Sequence, residues 1–152
     1  MAEEHPGIRS TASIAGHPIH PMGIPFPITF LCVLPFADAA YGFTGDVFWA
    51  RVSWWLAGLG FITAAIAAMV GLVDFTTIRR VREHVAGWIH ASSNALALFF
   101  AFWNIFLRWE RPSEAVFPWG ILLSVLVAVL VAVAGWYGGE LAYRHKIGVT
   151  GH

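Results

Sequence analysis

The chain has 152 residues, of which 58% are hydrophobic before its 15 glycines are counted and only 12% are charged. Soluble domains carry about 25% charged residues, and a chain this short could not hide so much apolar surface from water. With zero formal net charge and no basic block, the composition excludes an ordinary soluble enzyme, a disordered chain and a nucleic-acid binder, and leaves a small integral membrane protein. The single cysteine, Cys32, excludes an internal disulfide framework and any CxxC metal or redox motif.

Residues 1–20 read as an exposed N-terminal segment that contains GHPIHP. The stretch MAEEHPGIRSTASIAG lacks an apolar h-region, so no cleaved signal peptide is expected. Four stretches are long and apolar enough for a bilayer, which takes roughly 20 residues per helix: about 22–42, 50–74, 85–108 and 116–142. They make one transmembrane domain over 21–145, followed by a C-terminal tail over 146–152. The first span contains Asp38, Pro25, Pro27 and Pro35 and is expected to be kinked or to begin as a bent, irregular entry. The connections GFTGDVFWAR, DFTTIRRVREH and RWERPSEA are short, and no internal repeat interrupts them. The expected fold is an all-α, up-down-up-down antiparallel four-helix bundle.

Arg9, Arg79, Arg80, Arg82, Arg144 and Lys146 fall on the side of the termini, against Arg51, Arg108 and Arg111 on the other. The positive-inside bias then puts both termini in the cytoplasm of a bacterial inner membrane. Trp49, Trp54, Trp55, Trp103, Trp109 and Trp119 mark one border, and Trp88, Trp136, Tyr137 and Tyr143 the other.

Helical spacing sorts the few polar residues. Gly60, Ala64, Ala67, Gly71 and Asp74 form one stripe of the second span, where small residues permit close helix approach. Glu83, His90, Asn94, Ala97, Ala101 and Asn104 share a face of the third. Ser124, Ala128, Gly135 and Gly139 form a comparable stripe in the fourth. All seven histidines lie on the side of the termini, although most residues outside the spans lie there too.

His90 sits about a turn inside the third span, one turn before Asn94, and reads either as a metal or haem ligand or as a hydrogen bond between helices. In His17-Pro18-Ile19-His20-Pro21, proline after each histidine favours an extended backbone. This entry could fold over the mouth of the bundle and present an imidazole to His90, or be a turn that starts the helix. Asp74 reads as the carboxylate that orients a ligating histidine, or as the partner of Arg79, Arg80 or Arg144. Asp38 is expected to pair with Arg51. In GWYGGELAYRH, glycines allow a helix or a flat macrocycle to approach, and Arg144 is placed to pair with haem propionates.

GHPIHP, GLVDF closing the second span, HASSN in the third and GWYGGELAYRHKIGV at the end together resemble the bacterial membrane family catalogued as domain of unknown function 2231. The resemblance runs from about Gly16 to Val149 and implies four helices. It carries His17, His20, Asp74, His90, Asn94 and His145 over as motif positions without assigning them a role. Lys146 stands where the family pattern has glycine after the final histidine. Some relatives are fused to Rieske-type iron–sulfur domains, which implies membrane electron transfer and, for this chain, a separate redox partner of Rieske or cytochrome type.

Three functions compete on these residues, and none identifies a catalysed reaction. The leading one is a b-type haem held by two histidines near the cytoplasmic face, with His90 as first ligand, His20 or His17 as second and His145 as third choice. The second is a zinc or non-haem iron site built from His17, His20, His90 or His145 with Asp74. The third is a non-catalytic subunit or scaffold. Expected partners are the lipid bilayer, the separate redox protein and a second copy of the chain.

Overall fold

The computed structural model describes residues 7–148. His5, His152 and the outermost parts of the two expected tails lie outside the described residues. A two-residue antiparallel hairpin pairs β1 (Ser13–Ile14) with β2 (His17–Pro18), turning through Ala15 and Gly16 at positive φ. The helices follow in the order α1 (Ile19–Gly23), α2 (Pro25–Thr44), α3 (Val47–Thr77), α4 (Arg79–Glu83), α5 (Val85–Arg108) and α6 (Ile121–Gly139). A kinked segment at Val116–Gly120, with Phe117 extended, precedes α6, and a short π-helical segment at Glu140–Arg144 follows it.

Among the described residues four helices are long and apolar enough to cross a membrane: Ile19–Thr44, Val47–Thr77, Val85–Arg108 and Val116–Arg144. Their boundaries have local causes. Gly45 ends α2 in the left-handed conformation, its N–H bonded to the Tyr41 carbonyl at 2.8 Å. Asp46 then caps α3 by accepting from the Phe48 N–H at 2.9 Å. At the other end of α3, the Arg82 guanidinium donates to the free carbonyls of Phe75 and Thr76.

In the all-α bundle α2 packs on α3 and α6, and α5 packs on α6 and α3, which leaves α3 diagonal to α6. The centre is filled by Leu31, Ala97, Ala101, Val127 and Val131. Leu31 lies so close to Gly60 that a methyl group there would stand 2.5 Å from its Cδ2. Phe36, Ile62, Met69, Phe99, Leu122 and Val129 point outward. That surface would be a liability in water but needs no cover in hydrocarbon.

Several expectations are corrected. His17 is extended in β2, but His20 lies in the first turn of α1, so the HPIHP entry is not extended throughout. Pro21 falls within that first turn, where a missing N–H costs no helical hydrogen bond. The inward stripe of α6 and its continuation is Ser124, Val127, Val131, Ala134 and Leu141; Gly135 faces outward. Glu83 belongs to α4 and pairs on the surface with Arg79 at 2.9 Å. In the N-terminal segment Ser10 is buried and tied down as described below, while residues 13–17 are exposed.

The end of the bundle near the termini, here the terminal end, is closed by both chain ends. Ile8 donates to the Lys146 carbonyl at 2.9 Å and accepts from the Gly148 N–H at 2.8 Å. Ile147 packs with Ile78, Val81, Ala86 and Leu141 beneath this bridge.

Candidate functional site

The small residues of α3 and α6 decide where imidazoles can sit. A methyl group on Gly71 would lie 2.9 Å from His20 Cε1, and one on Gly138 would lie 2.8 Å from His90 Cε1. Each glycine therefore leaves room for the Cε1–Nδ1 edge of one ring to come up against its helix. The His20 ring, carried by α1, bonds through Nδ1 to the Ala67 carbonyl of α3 at 2.8 Å. The His90 ring, carried by α5, bonds through Nδ1 to the Ala134 carbonyl of α6 at 2.7 Å. A carbonyl only accepts, so each Nδ1 is the protonated nitrogen, and in the neutral ring Nε2 keeps its lone pair.

Because α3 and α6 lie across the diagonal, the two rings approach each other through the interior. Their centres are 6.0 Å apart and their planes nearly perpendicular, at 85°. Asn94, one turn on from His90, donates from its amide to the His90 carbonyl at 2.9 Å and stands 3.3 Å from His90 Nε2.

The remaining candidates are elsewhere. His17 is exposed, with its Nδ1 on the Ala15 carbonyl at 3.1 Å, so it is not part of the pair. Asp74 contacts neither a histidine nor any of the arginines proposed for it. One oxygen accepts from the backbone N–H groups of Thr11 and Ala12 at 2.8 and 3.1 Å, and the other from the Ser10 hydroxyl at 2.6 Å. Asp74 therefore ties down the N-terminal segment, whose three donors were not visible as a motif. Arg144 is exposed and reaches Glu140 at 3.4 Å. His145 joins a second pair that sequence reasoning missed, stacking on His84 with ring centres 3.8 Å apart and planes tilted by 28°. Its Nε2 lies 3.8 Å from Glu140 Oε1. Burial, then the neighbouring His84, pulls His145 below the usual histidine value of 6.5; Arg144 and Arg80 act the same way, and Glu140 opposes them.

Among the described residues no three His, Cys, Asp or Glu side chains converge to hold a metal ion. The zinc or non-haem iron cluster of three histidines and Asp74 is accordingly not assembled. Its members are divided among the His20–His90 pair, the His84–His145 pair and the N-terminal clamp, with His17 exposed and apart from all three.

A larger polar cluster at the far end was also missed. Asp38 does not pair with Arg51, which is exposed, but with Arg108 through two bonds of 2.7 Å. Both side chains are 0% exposed. Arg108 also donates to Asn104 at 2.6 Å, to Ser124 at 3.1 Å and to Ser53. The signal was present in the chain: Arg108 falls one turn beyond Asn104 on the inward stripe of α5.

A family model described as "Predicted membrane protein (DUF2231)" matches residues 16–151. Comparison with curated proteins and with solved structures gives no match.

Proposed function

The chain belongs to the predicted membrane protein family DUF2231, and from its inward histidine pair we propose a small b-type cytochrome of the bacterial inner membrane, with His20 and His90 as the axial ligands of one haem. The observation that carries this reading is the relation of the two rings. A haem iron bound here would be held by these two imidazoles, which meet inside the bundle from different helices. Their ring centres are 6.0 Å apart. Each ring is also fixed through Nδ1 to a backbone carbonyl, the usual support for a histidine that ligates through its other nitrogen.

Donor number favours haem over a bare divalent ion. A protein zinc site takes three or four protein ligands, whereas a haem brings four nitrogens of its own and takes two axial ones. Two converging imidazoles suit the second case. Bound there, haem would supply one-electron redox chemistry. The protein's part is to hold both rings in one tautomer and to keep them among apolar helices; the Asn94 amide, 3.3 Å from His90 Nε2, would give up that contact to the iron. The positive-inside bias supports placing this end in the cytoplasm, facing a separate redox protein of Rieske or cytochrome type.

The same Nδ1 bonds also favour a plainer reading, in which both histidines only tie helices together. Expression with ample haem, purification in detergent and a reduced-minus-oxidised visible spectrum separate the two. A low-spin haem signal that disappears in both His20→Ala and His90→Ala supports the cytochrome. Absence of a haem band together with absence of iron sinks it and leaves the helix-tying role.

A further inference from the structure

The His84–His145 pair has no part in the proposed haem site, and it sits where the two chain ends close the bundle. His145 directly follows the π-helical segment after α6, and Lys146, Ile147 and Gly148 then turn back across the terminal end. The Ile147 N–H bonds to the Leu141 carbonyl at 3.0 Å, and its side chain, only 7% exposed, fills the cluster under Ile8. His84 precedes α5 as its N-cap in extended conformation. The stack therefore joins the start of α5 to the returning C-terminal segment.

Two features make this junction sensitive to protons. Among the described residues, His84 Nε2 is buried and finds no hydrogen-bond partner. A proton added there would find no acceptor, and it would lie at the positive end of the α5 dipole. The second feature is the ring spacing of 3.8 Å. Neutral imidazoles, or one neutral and one charged, can stack at that distance, but two cations repel.

Charged groups surround the pair. Arg80 on α4 and Arg144 beyond α6 oppose protonation of His145, while Glu140, 3.8 Å from its Nε2, favours it. Glu83, next to His84 in the chain, is engaged by Arg79.

We propose that His84 and His145 form a proton-operated clasp that holds the segment Lys146–Gly148, and Ile8 paired with it, against the bundle, and that releases both when the two rings are protonated. Closed, the clasp covers the apolar cluster of Ile78, Val81, Ala86 and Leu141. Open, it exposes that cluster at the membrane border. The clasp responds to the acidity of the compartment that this end faces, whether or not haem is bound between His20 and His90.

Hydrogen exchange on the full chain in detergent tests this, read at the Ile8, Ile147 and Gly148 amides and corrected for intrinsic rates. Between about pH 8 and about pH 5, these amides should lose protection by about tenfold or more, while amides in the middle of α5 do not change. His84→Phe and His145→Phe keep an aromatic stack that cannot charge, and both should stay protected at the acid end. Glu140→Gln removes the group that draws a proton to His145, so opening should need more acid. Protection that is unchanged with pH in the parent chain overturns the clasp. So does equal acid release in whichever phenylalanine variant folds.

Discussion

At the far end of the bundle, all five N–H donors of Arg108 have acceptors, and both Asp38 oxygens accept from more than one donor. The cluster takes Asp38 from α2, Ser53 from α3, Asn104 and Arg108 from α5 and Ser124 from α6, so it joins all four spanning helices. Every one of these side chains is 0% exposed. At the terminal end, His20 binds a carbonyl through Nδ1 only, His90 adds to its Nδ1 bond a single 3.3 Å contact from the Asn94 amide at Nε2, and among the described residues His84 Nε2 has no partner. A closed network like the first has nothing left to offer a ligand. Its role is to set which helices meet and in what register. The second arrangement keeps ring nitrogens in reserve, which is what binding or protonation needs.

The largest effect should come from breaking the closed end. Arg108→Met leaves the Asp38 carboxylate buried without its counter-charge, at a cost of about 3–5 kcal/mol. Thermal unfolding in detergent should show a large fall in midpoint. Replacing Asp38 and Arg108 together with leucine should recover much of that loss, because a buried ion pair stabilises little beyond well-packed apolar residues. If the double variant is no better than the single one, the cluster is more than a structural tie.

At the open end the effects should fall on ligand content before stability. Gly138→Ala puts a methyl group against the His90 ring, and Gly71→Ala does the same to His20. Each should cost about 1–3 kcal/mol of overpacking and should displace the ring, lowering any haem content more than the unfolding midpoint. His90→Leu should cost only about 1 kcal/mol through its lost hydrogen bond and, if the proposed haem is bound, abolish its spectrum. That separation of stability from ligand binding is what a purely helix-tying histidine would not produce.

Asp74→Asn should weaken the clamp on Ser10, Thr11 and Ala12 by about 1 kcal/mol, since the carboxylate is only partly buried. Limited proteolysis should then cut near Ser10 faster, with little change in the unfolding midpoint. The smallest effect concerns acid. A histidine held below 6.5 in the folded chain binds fewer protons folded than unfolded, so its contribution is fully present above 6.5. It declines as pH falls from there through the folded value of His145. Stability of the parent should therefore drop slightly over this acid window, and His145→Phe should lose that portion of the drop.

Much of this organisation was legible in the chain. The scarcity of charge and four long apolar runs lead directly to four spanning helices, because hydrocarbon tolerates few exposed polar groups. Stripe counting also turned His90, Asn94, Ala97, Ala101 and Asn104 towards the interior, since helical periodicity is a local property. The juxtaposition of His20 with His90 was legible as one option for the HPIHP segment. That segment's backbone was misread, because the bias against helix before proline weakens in a helix's first turn.

Partner choice was not legible in the same way. Asp38 could face Arg51 or Arg108 as far as sequence order goes, and Asp74 could face a histidine, an arginine or the N-terminal backbone. Each choice depends on which helices are neighbours and how far each is rotated. The chain by itself determined that this is a four-span membrane bundle whose rare polar residues turn inward at particular heights. The tertiary arrangement alone decided that Arg108 closes a network around Asp38, that Asp74 holds the N-terminal segment, and that His20 meets His90 while His145 stacks on His84. The physical reason is that periodicity acts within one helix, whereas a hydrogen bond or a ring contact spans a few ångströms between helices far apart in the chain.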